Sequence, residues 1–316
     1  MSATVQVCSG YDGMPLPSML TSFPFLKATP LHPPSNDTLW VHSHGDLYDR
    51  HPAVAWLYPW NSEYDMNVCA ARQFMISTWP AILCLIGAYL AMVAVGPRIM
   101  ANREGFRLKQ LLIWWNGALA LFSIIGSLRT VPHLISNIAN HGWQYSVCAP
   151  PEIAFGHGTV GLWMFAFILS KVPELLDTVW LILRKRKVIF LHWFHHATVL
   201  AYCWHAYMTR AGSGLWFAGM NYTVHAIMFT YYMLAAQGKR PSWAPLVTTL
   251  QIVQMFVGMA VVAATAYIKW GTADSCAIED SNLMAGAAMY SSYAFLFVQF
   301  AVRRYCMGGA PKAKQA

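Results

Sequence analysis

Apolar residues beyond position 73 are grouped into seven long runs that are separated by short polar connections. The runs cover residues 74–95, 111–131, 160–183, 188–207, 215–236, 246–268 and 283–302. Each has roughly 20 residues, the length at which a helix crosses a hydrocarbon core about 30 Å thick. Backbone that faces lipid must satisfy its own hydrogen bonds, so all seven are predicted to be helices. The pattern predicts an all-α integral membrane protein with seven transmembrane helices.

The composition agrees with a membrane protein and sets the start of the chain apart. Of the 316 residues, 57% are hydrophobic and 11% are charged, whereas a soluble domain is about 25% charged. Residues 1–73 hold eight of the seventeen prolines and no periodic apolar run, which predicts an irregular segment. They lack the pattern of a cleaved signal peptide, so we expect the first run to act as the insertion signal.

The basic residues indicate how the helices are oriented. The net charge of +8 could indicate a nucleic-acid partner, but fourteen of the 21 Lys and Arg lie in the first, third and fifth connections and the C-terminal tail. The second, fourth and sixth connections hold only Arg210 and Lys269. By the positive-inside rule the C-terminus is predicted to be cytosolic and the N-terminus lumenal. The basic excess therefore indicates topology, and no nucleic-acid partner is expected.

Three ionisable residues lie inside the third run, where buried charge is costly and usually functional. Lys171 and Glu174 share a helical face with Thr178, and Asp177 lies at the edge of that face. A purely structural ion cluster is the alternative interpretation.

Three histidines at i, i+3 and i+4 lie in the fourth run: His192, His195 and His196. A short basic connection makes this run antiparallel to the third, which puts His195 and Asp177 at a similar depth, roughly 10 Å from the cytosolic boundary. A carboxylate there can orient a histidine. Packing histidines are the alternative, and for His205, on the opposite face, packing is the favoured interpretation.

Further polar residues fall in the same half of the predicted membrane. They are Asn221, His225, Tyr231, Tyr232, Gln251 and Gln254. Interhelical hydrogen bonds explain each one alone, but together they predict a buried polar cavity open to the cytosol. Cations of the adjoining connections surround its predicted mouth: Arg184, Lys185, Arg186, Lys187, Lys239 and Arg240. Such a mouth suits a polyphosphate head group, although loop cations need no ligand.

The seven cysteines contain no CxxC pair, which argues against a thioredoxin-like or zinc-finger site. Cys148 and Cys276 lie in the second and sixth connections, both on the predicted lumenal side, where a disulfide can persist. A bridge between them and two free thiols are both compatible with the sequence.

Four motifs together resemble the ELO family of fatty acid elongases. KVPELLDT at 171–178 resembles the family's KxxExxDT, and HWFHH at 192–196 resembles its HxxHH box. NYTVHAIMFTYY at 221–232 resembles NxxxHxxMYxYY, and TTLQIVQ at 248–254 resembles TxLQxxQ. The resemblance runs from about residue 74 to 305, with Phe229 in place of the usual tyrosine and an unusually long start. It implies three segments: an irregular lumenal segment at 1–73, the elongase membrane domain at 74–305 and a cytosolic tail at 306–316.

The resemblance implies condensation of a long-chain acyl-CoA with malonyl-CoA to give 3-oxoacyl-CoA, carbon dioxide and CoA. An imidazole that forms an acyl-imidazole would divide this reaction into two easier steps. We assign His195 as nucleophile, His192 and His196 as its base and orienting partners, and Lys171, Glu174 and Asp177 as the group that fixes tautomer and charge. His225 and Asn221 would stabilise the malonyl-derived enolate. No metal or other cofactor is expected, and the apolar helices would supply an acyl tunnel.

Two other functions remain open at this level. A membrane di-iron desaturase or hydroxylase also uses HxxHH boxes but needs about eight ligands, and only five histidines lie inside the seven runs. The other is a seven-span transporter or receptor whose polar cluster is an ion path.

Short signals outside the core indicate location. The tail KAKQA at 312–316 has the KxKxx form of a dilysine retrieval signal for the endoplasmic reticulum, although a solvated basic tail looks the same. Asn36 begins an N-glycosylation acceptor on the predicted lumenal side. The implied partners are the bilayer and the reductases and dehydratase of the elongation cycle, and a homodimer is left open. Lys187 and Trp193 resemble the branch that acts on saturated and monounsaturated chains.

Overall fold

The computed structural model describes residue 63 and residues 67–156, 158–239 and 241–307. All regular elements in this part of the chain are helices, namely nine α-helices and a final π-helical turn. They are α1 Val68–Ile99, α2 Lys109–Cys148, α3 Pro151–Ala154, α4 Gly158–Glu174, α5 Leu176–Leu183, α6 Phe190–Met208, α7 Gly214–Ala236, α8 Ala244–Gly271, α9 Asp280–Ala301 and the turn Val302–Cys306. The all-α prediction is confirmed. Asn36, Arg240 and the KxKxx tail lie outside the described residues.

Two elements differ from the expected runs. The third run is divided into α4 and α5, because Pro173 has no amide proton to donate to the helix. At the break, Leu175 donates its amide to the Val172 carbonyl and accepts from the Thr178 amide, and both hydrogen bonds are of the i to i−3 type. α2 has 40 residues, far beyond its expected end at 131, and it bends at Gly142, whose φ is 84°. A local hydropathy pattern does not detect this extension because it lies outside the apolar run.

Four helices of the described part can cross a membrane by length and composition: α1, α2, α8, and α9 together with its π-helical turn. The break divides the third run into helices of 17 and 8 residues, too short to cross a membrane singly, and α6 and α7 carry the histidines and Asn221 of the motifs. The structure thus supports a multi-pass helical membrane protein.

The helices around the polar residues pack into a closed ring. In order around the ring, α2 contacts α4, which contacts α6, followed by α9, α8 and α7, and α7 returns to α2. Helix α1 lies beside this ring and packs on α6 and α5. The ring therefore surrounds the side chains that the sequence places in the third to seventh runs.

Small residues let α2 and α7 approach closely. A Cβ at Gly126 of α2 would overlap the ring of Tyr222 of α7, and Ser127 and Thr223 share a hydrogen bond of 2.8 Å beside it. Gly258 of α8 has the same relation to Tyr290 of α9. Such contacts substitute for the hydrophobic effect, which does not hold helices together in lipid.

The connections meet at two opposite ends of the ring. At one end a disulfide joins Cys148 to Cys276, Ala277 donates its amide to the Cys148 carbonyl at 2.8 Å, and Gly212 donates to Ala277 at 2.7 Å. The second, fourth and sixth connections are thus tied together. At the other end Phe106 donates to the Leu183 carbonyl at 3.0 Å, which joins the first connection to the end of α5. Successive long segments therefore alternate in direction.

A buried ion pair that the sequence did not predict joins Glu63 to the ring. Arg129 of α2 donates to both carboxylate oxygens of Glu63, at 3.0 and 2.9 Å, and Trp163 of α4 donates to the same carboxylate at 2.7 Å. Both charged side chains are buried. An arginine inside the second run was the available signal, but its partner lies 66 residues away and could not be identified from spacing.

Candidate active site

A cavity of about 190 Å³ lies inside the ring, lined by α4 to α9. Its polar lining residues are Glu174, Asp177, His192, His195, His196, Asn221, His225, Tyr232, Gln251 and Gln254. The remaining surface is apolar and includes Met228, Phe229, Phe297 and Phe300. The structure thus brings together the polar residues of the four motifs at one site.

The three histidines of α6 form the most polar wall of the cavity. The ring centroids of His192 and His196 are 4.6 Å apart, and those of His195 and His196 are 5.4 Å apart. Neither ring nitrogen of His195 has a hydrogen-bond partner among the described residues, and its side chain lines the cavity. His195 therefore has unengaged ring nitrogens at a space that could hold a substrate. The ring nitrogens of His196 have no hydrogen-bond partner among the described residues either, but its Nδ1 is fully buried.

Asp177 and Thr178 have different partners from those expected. The Asp177 carboxylate accepts a hydrogen bond of 2.6 Å from the indole of Trp115 on α2. The adjacent Thr178 hydroxyl lies 2.9 Å from Nε2 of His192. A hydroxyl, rather than the expected carboxylate, orients a histidine here, because the break after α4 turns Asp177 toward α2 and Thr178 toward α6.

Lys171 and Glu174 act on the opposite wall of the cavity through Asn221. The Lys171 ammonium donates to Glu174 Oε1 at 2.8 Å and to Asn221 Oδ1 at 3.2 Å, and Ser170 also donates to Glu174 Oε1. Since the amide oxygen of Asn221 faces an ammonium, its amino group faces Nε2 of His225 at 3.2 Å. That nitrogen must accept, which leaves the proton of a neutral His225 on Nδ1. The contacts of Lys171 and Glu174 therefore lead through Asn221 to His225, and their expected effect on the histidines of α6 stays a prediction.

Two tyrosines beside the cavity were not found by the sequence reading. Tyr293 of α9 donates to the backbone carbonyl of His195 at 3.2 Å, and its ring lies 4.9 Å from the His195 ring. Tyr89 of α1 lies 2.8 Å from the Thr178 hydroxyl. Both belong to helices without motif residues nearby, so no local spacing signal identifies them.

The tyrosines and glutamines expected to bind substrate do not all reach the cavity. Tyr232, Gln251 and Gln254 line the cavity, whereas Tyr231 packs its ring on Trp243 outside it. His205 is hydrogen-bonded to Asn282 at 3.1 Å and does not line the cavity.

The basic residues expected around the cavity mouth have different surroundings. Arg186, Lys187 and Lys239 are exposed, and burial together with the neighbouring Arg186 lowers the pKa of Arg184. Lys185 instead donates to the carbonyls of Ala101 and Arg103, at 2.9 and 3.0 Å, and so holds the first connection in place.

A second, smaller cavity of about 70 Å³ lies farther along the same helices. Phe167, Cys203 and Phe217 line it, and they stand one or two helical turns from Glu174, His196 and Asn221 of the first cavity. Its walls are almost entirely apolar, and the Arg210–Glu152 ion pair lies at its far end. Among the described residues, no group of three His, Cys, Asp or Glu side chains is placed to hold a metal ion.

Comparison with known proteins agrees with the motifs. A family model described as "ELO: GNS1/SUR4 family" matches residues 74–313. Very long chain fatty acid elongase 6 of Drosophila melanogaster is 40% identical over 261 residues, which cover 82% of each chain. Fatty acid elongase 3 of Trypanosoma cruzi is 41% identical over 293 residues, 82% of this chain and 96% of that one. Human very long chain fatty acid elongase 6 is 39% identical over 256 residues, 80% and 95% of the two chains.

Proposed function

The chain belongs to the ELO family, also described as GNS1/SUR4, and we propose that it is a fatty acid elongase that condenses a long-chain acyl-CoA with malonyl-CoA. The products are 3-oxoacyl-CoA, carbon dioxide and CoA. Relatives named as fatty acid elongases, which match over most of their length, favour this function over a desaturase or a transporter. The observation that carries the mechanism is the cavity wall on which His195 presents unengaged ring nitrogens.

The first step is acyl transfer to His195. An imidazole nitrogen attacks the thioester carbonyl, a carbon–nitrogen bond forms, and the carbon–sulfur bond breaks as CoA leaves with the electron pair. The imidazole proton passes by way of the neighbouring His196 to the leaving sulfur, and His192 assists this transfer as a proton donor. Lys171 and Glu174 form an ion pair without net charge, so the site can take up an uncharged acyl group.

The second step forms the carbon–carbon bond. Malonyl-CoA loses carbon dioxide, and the electron pair of the broken bond attacks the acyl carbon while the acyl-imidazole bond returns its pair to nitrogen. His225, whose Nδ1 carries a proton because Asn221 engages Nε2, is the donor proposed for the enolate oxygen. The proposal requires no metal or other cofactor, because both reacting groups are activated as CoA thioesters.

The proposal places the reaction in the endoplasmic reticulum membrane, with the CoA groups entering from the cytosol. Seven membrane-spanning segments are supported by the alternating direction of the described segments and by the excess of Lys and Arg in the odd-numbered connections. A C-terminal tag that protease reaches only after the vesicle is opened would contradict this orientation.

The acyl chain is proposed to extend from His195 toward the cavity lined by Phe167, Cys203 and Phe217, which is apolar and lies along the same helices. The Arg210–Glu152 pair at its far end would limit the length that fits, because an alkyl chain that displaced Arg210 would leave the Glu152 carboxylate buried without its partner.

The test of this function uses purified full-length protein in lipid vesicles, palmitoyl-CoA and labelled malonyl-CoA. We expect 3-oxoacyl-CoA as product, and CoA release from palmitoyl-CoA before malonyl-CoA is added. A peptide that contains His195 should gain the mass of the acyl chain. His195→Ala should abolish both signals, and His205→Ala, on the same helix away from the cavity, serves as control. CoA release that strictly requires malonyl-CoA, with no acylated peptide, would rule out the covalent route.

A further inference from the structure

A chain of hydroxyl groups connects the helix outside the ring to the histidine box. The Tyr89 hydroxyl of α1 lies 2.8 Å from the Thr178 hydroxyl of α5, which lies 2.9 Å from Nε2 of His192 on α6. Tyr89 is 4% exposed and Thr178 is fully buried. Tyr89 does not line the cavity, whereas His192 does.

The number of protons restricts how this chain can be arranged. A threonine hydroxyl has one proton, so Thr178 donates to one neighbour and accepts from the other. A phenol is a better donor than an alcohol, which favours donation from Tyr89 to Thr178 and from Thr178 to His192. Nε2 of His192 then accepts, and the proton of the neutral imidazole is held on Nδ1.

Without the Tyr89 hydroxyl, the direction of the hydrogen bond between Thr178 and His192 is no longer determined. Thr178 could then accept from Nε2, and His192 could adopt the other tautomer. Since Thr178 occupies Nε2 in either case, Nδ1 is the nitrogen left to exchange protons with the cavity. The tautomer therefore decides whether His192 offers the cavity a proton or a lone pair.

We propose that Tyr89 is a positioning residue that fixes the tautomer of His192 through Thr178, so that α1 contributes to catalysis from outside the ring. The inference rests on the proposed condensation activity, in which His192 assists proton transfer at His195. The hydrogen bond between Tyr89 of α1 and Thr178 of α5 thereby has a function, whereas an apolar contact would be enough to pack these two helices.

The test compares Tyr89→Phe, Thr178→Val, the double variant and Thr178→Ser in full-length protein. Tyr222→Phe is the matched control, because Tyr222 is 2% exposed and donates one hydrogen bond of 2.8 Å to the Trp163 carbonyl away from the cavity. The measurements are kcat and KM for acyl-CoA, CoA release without malonyl-CoA, and Tm. All rates are measured at a temperature well below the lowest Tm among the variants, so that differences in stability do not change the measured rates.

We expect Tyr89→Phe to lower kcat and the rate of CoA release roughly fivefold to tenfold, the effect of losing one neutral hydrogen bond. KM should stay unchanged because Tyr89 does not touch the cavity. Thr178→Ser should retain activity because it keeps the hydroxyl. The double variant should be no slower than Thr178→Val, since both changes interrupt the same series of hydrogen bonds.

Equal kcat values for Tyr89→Phe and Tyr222→Phe, or additive losses in the double variant, would overturn the inference while leaving the condensation activity intact. A wild-type protein that releases no CoA and forms no 3-oxoacyl-CoA would instead overturn the proposed function.

Discussion

At the residue scale, the site depends on buried charges that neutralise one another. Lys171 is 2% exposed and Glu174 is 3% exposed, and their pairing also sets the amide orientation of Asn221. A buried pair contributes little net stability, but an unpaired member is costly.

This difference predicts the behaviour of two variants. Lys171→Met should lower the free energy of unfolding by about 3 to 5 kcal/mol, because Glu174 remains buried without its partner. Lys171→Met with Glu174→Met should recover most of that stability but not the activity, since Asn221 is no longer oriented. Thermal unfolding in detergent and the condensation assay measure the two effects. Equal stability of the single and double variants would contradict the pairing argument.

Glu279, in the sixth connection outside the membrane-spanning segments, predicts a pH dependence. Burial raises the pKa of its carboxyl from 4.5 to about 7, although a hydrogen bond from Ser281 opposes the shift. The folded protein therefore binds this proton more tightly than the unfolded chain, so its contribution to stability is full below about pH 4.5 and is lost as the pH rises to about 7.

Glu279→Gln should accordingly raise Tm relative to wild type at about pH 8 more than at about pH 5. The control is Asp274→Asn, which makes the same change of charge at an exposed position in the same connection. A difference in Tm between Glu279→Gln and wild type that is the same at both pH values would show that Glu279 does not titrate in this range.

At the scale of elements, close contact between helices depends on glycine where a neighbouring tyrosine ring occupies the space of a side chain. Gly126→Ala should destabilise the protein by about 1 to 3 kcal/mol, because the added methyl overlaps the Tyr222 ring. Gly87→Ala in α1 is the control, since nothing lies within 4 Å of its Cβ position. It should be neutral or stabilising, as alanine favours a helix over glycine. Similar Tm changes for both variants would contradict the proposed close packing of α2 on α7.

The smaller apolar cavity also predicts which acyl chain lengths the protein prefers. Cys203→Trp fills the smaller cavity and should shift the preferred substrate to shorter acyl-CoA in a panel of chain lengths. Cys84→Trp, at an exposed position of α1, is the control and should leave the preference unchanged. An unchanged preference in active Cys203→Trp protein would show that the acyl chain does not enter this cavity.

At the scale of the whole molecule, the disulfide between Cys148 and Cys276 connects residues 128 positions apart and joins two connections at one end of the ring. Replacing both cysteines with serine should reduce stability by about 2 to 4 kcal/mol, because the unfolded chain gains freedom. Cys84→Ser, which removes an exposed free thiol, is the control. Detection of both cysteines as free thiols in protein from the endoplasmic reticulum would contradict the bridge.

The sequence by itself determined the helical class and the polar residues of the site. Long apolar runs predict helices because lipid leaves the backbone no other partners, and His192, His195 and His196 share a face because their spacing follows the helical repeat. Motif order then indicated the family. All of these features depend on residues close together in the chain.

Only the tertiary structure decided which groups meet across helices. Asp177 faces Trp115 rather than a histidine, Thr178 faces His192, and Tyr89 reaches the site from outside the ring. These contacts depend on how each helix is rotated and on the break between α4 and α5. Spacing along one helix gives a residue's face but not the neighbour that packs against it, since that neighbour is set by the packing of the whole ring.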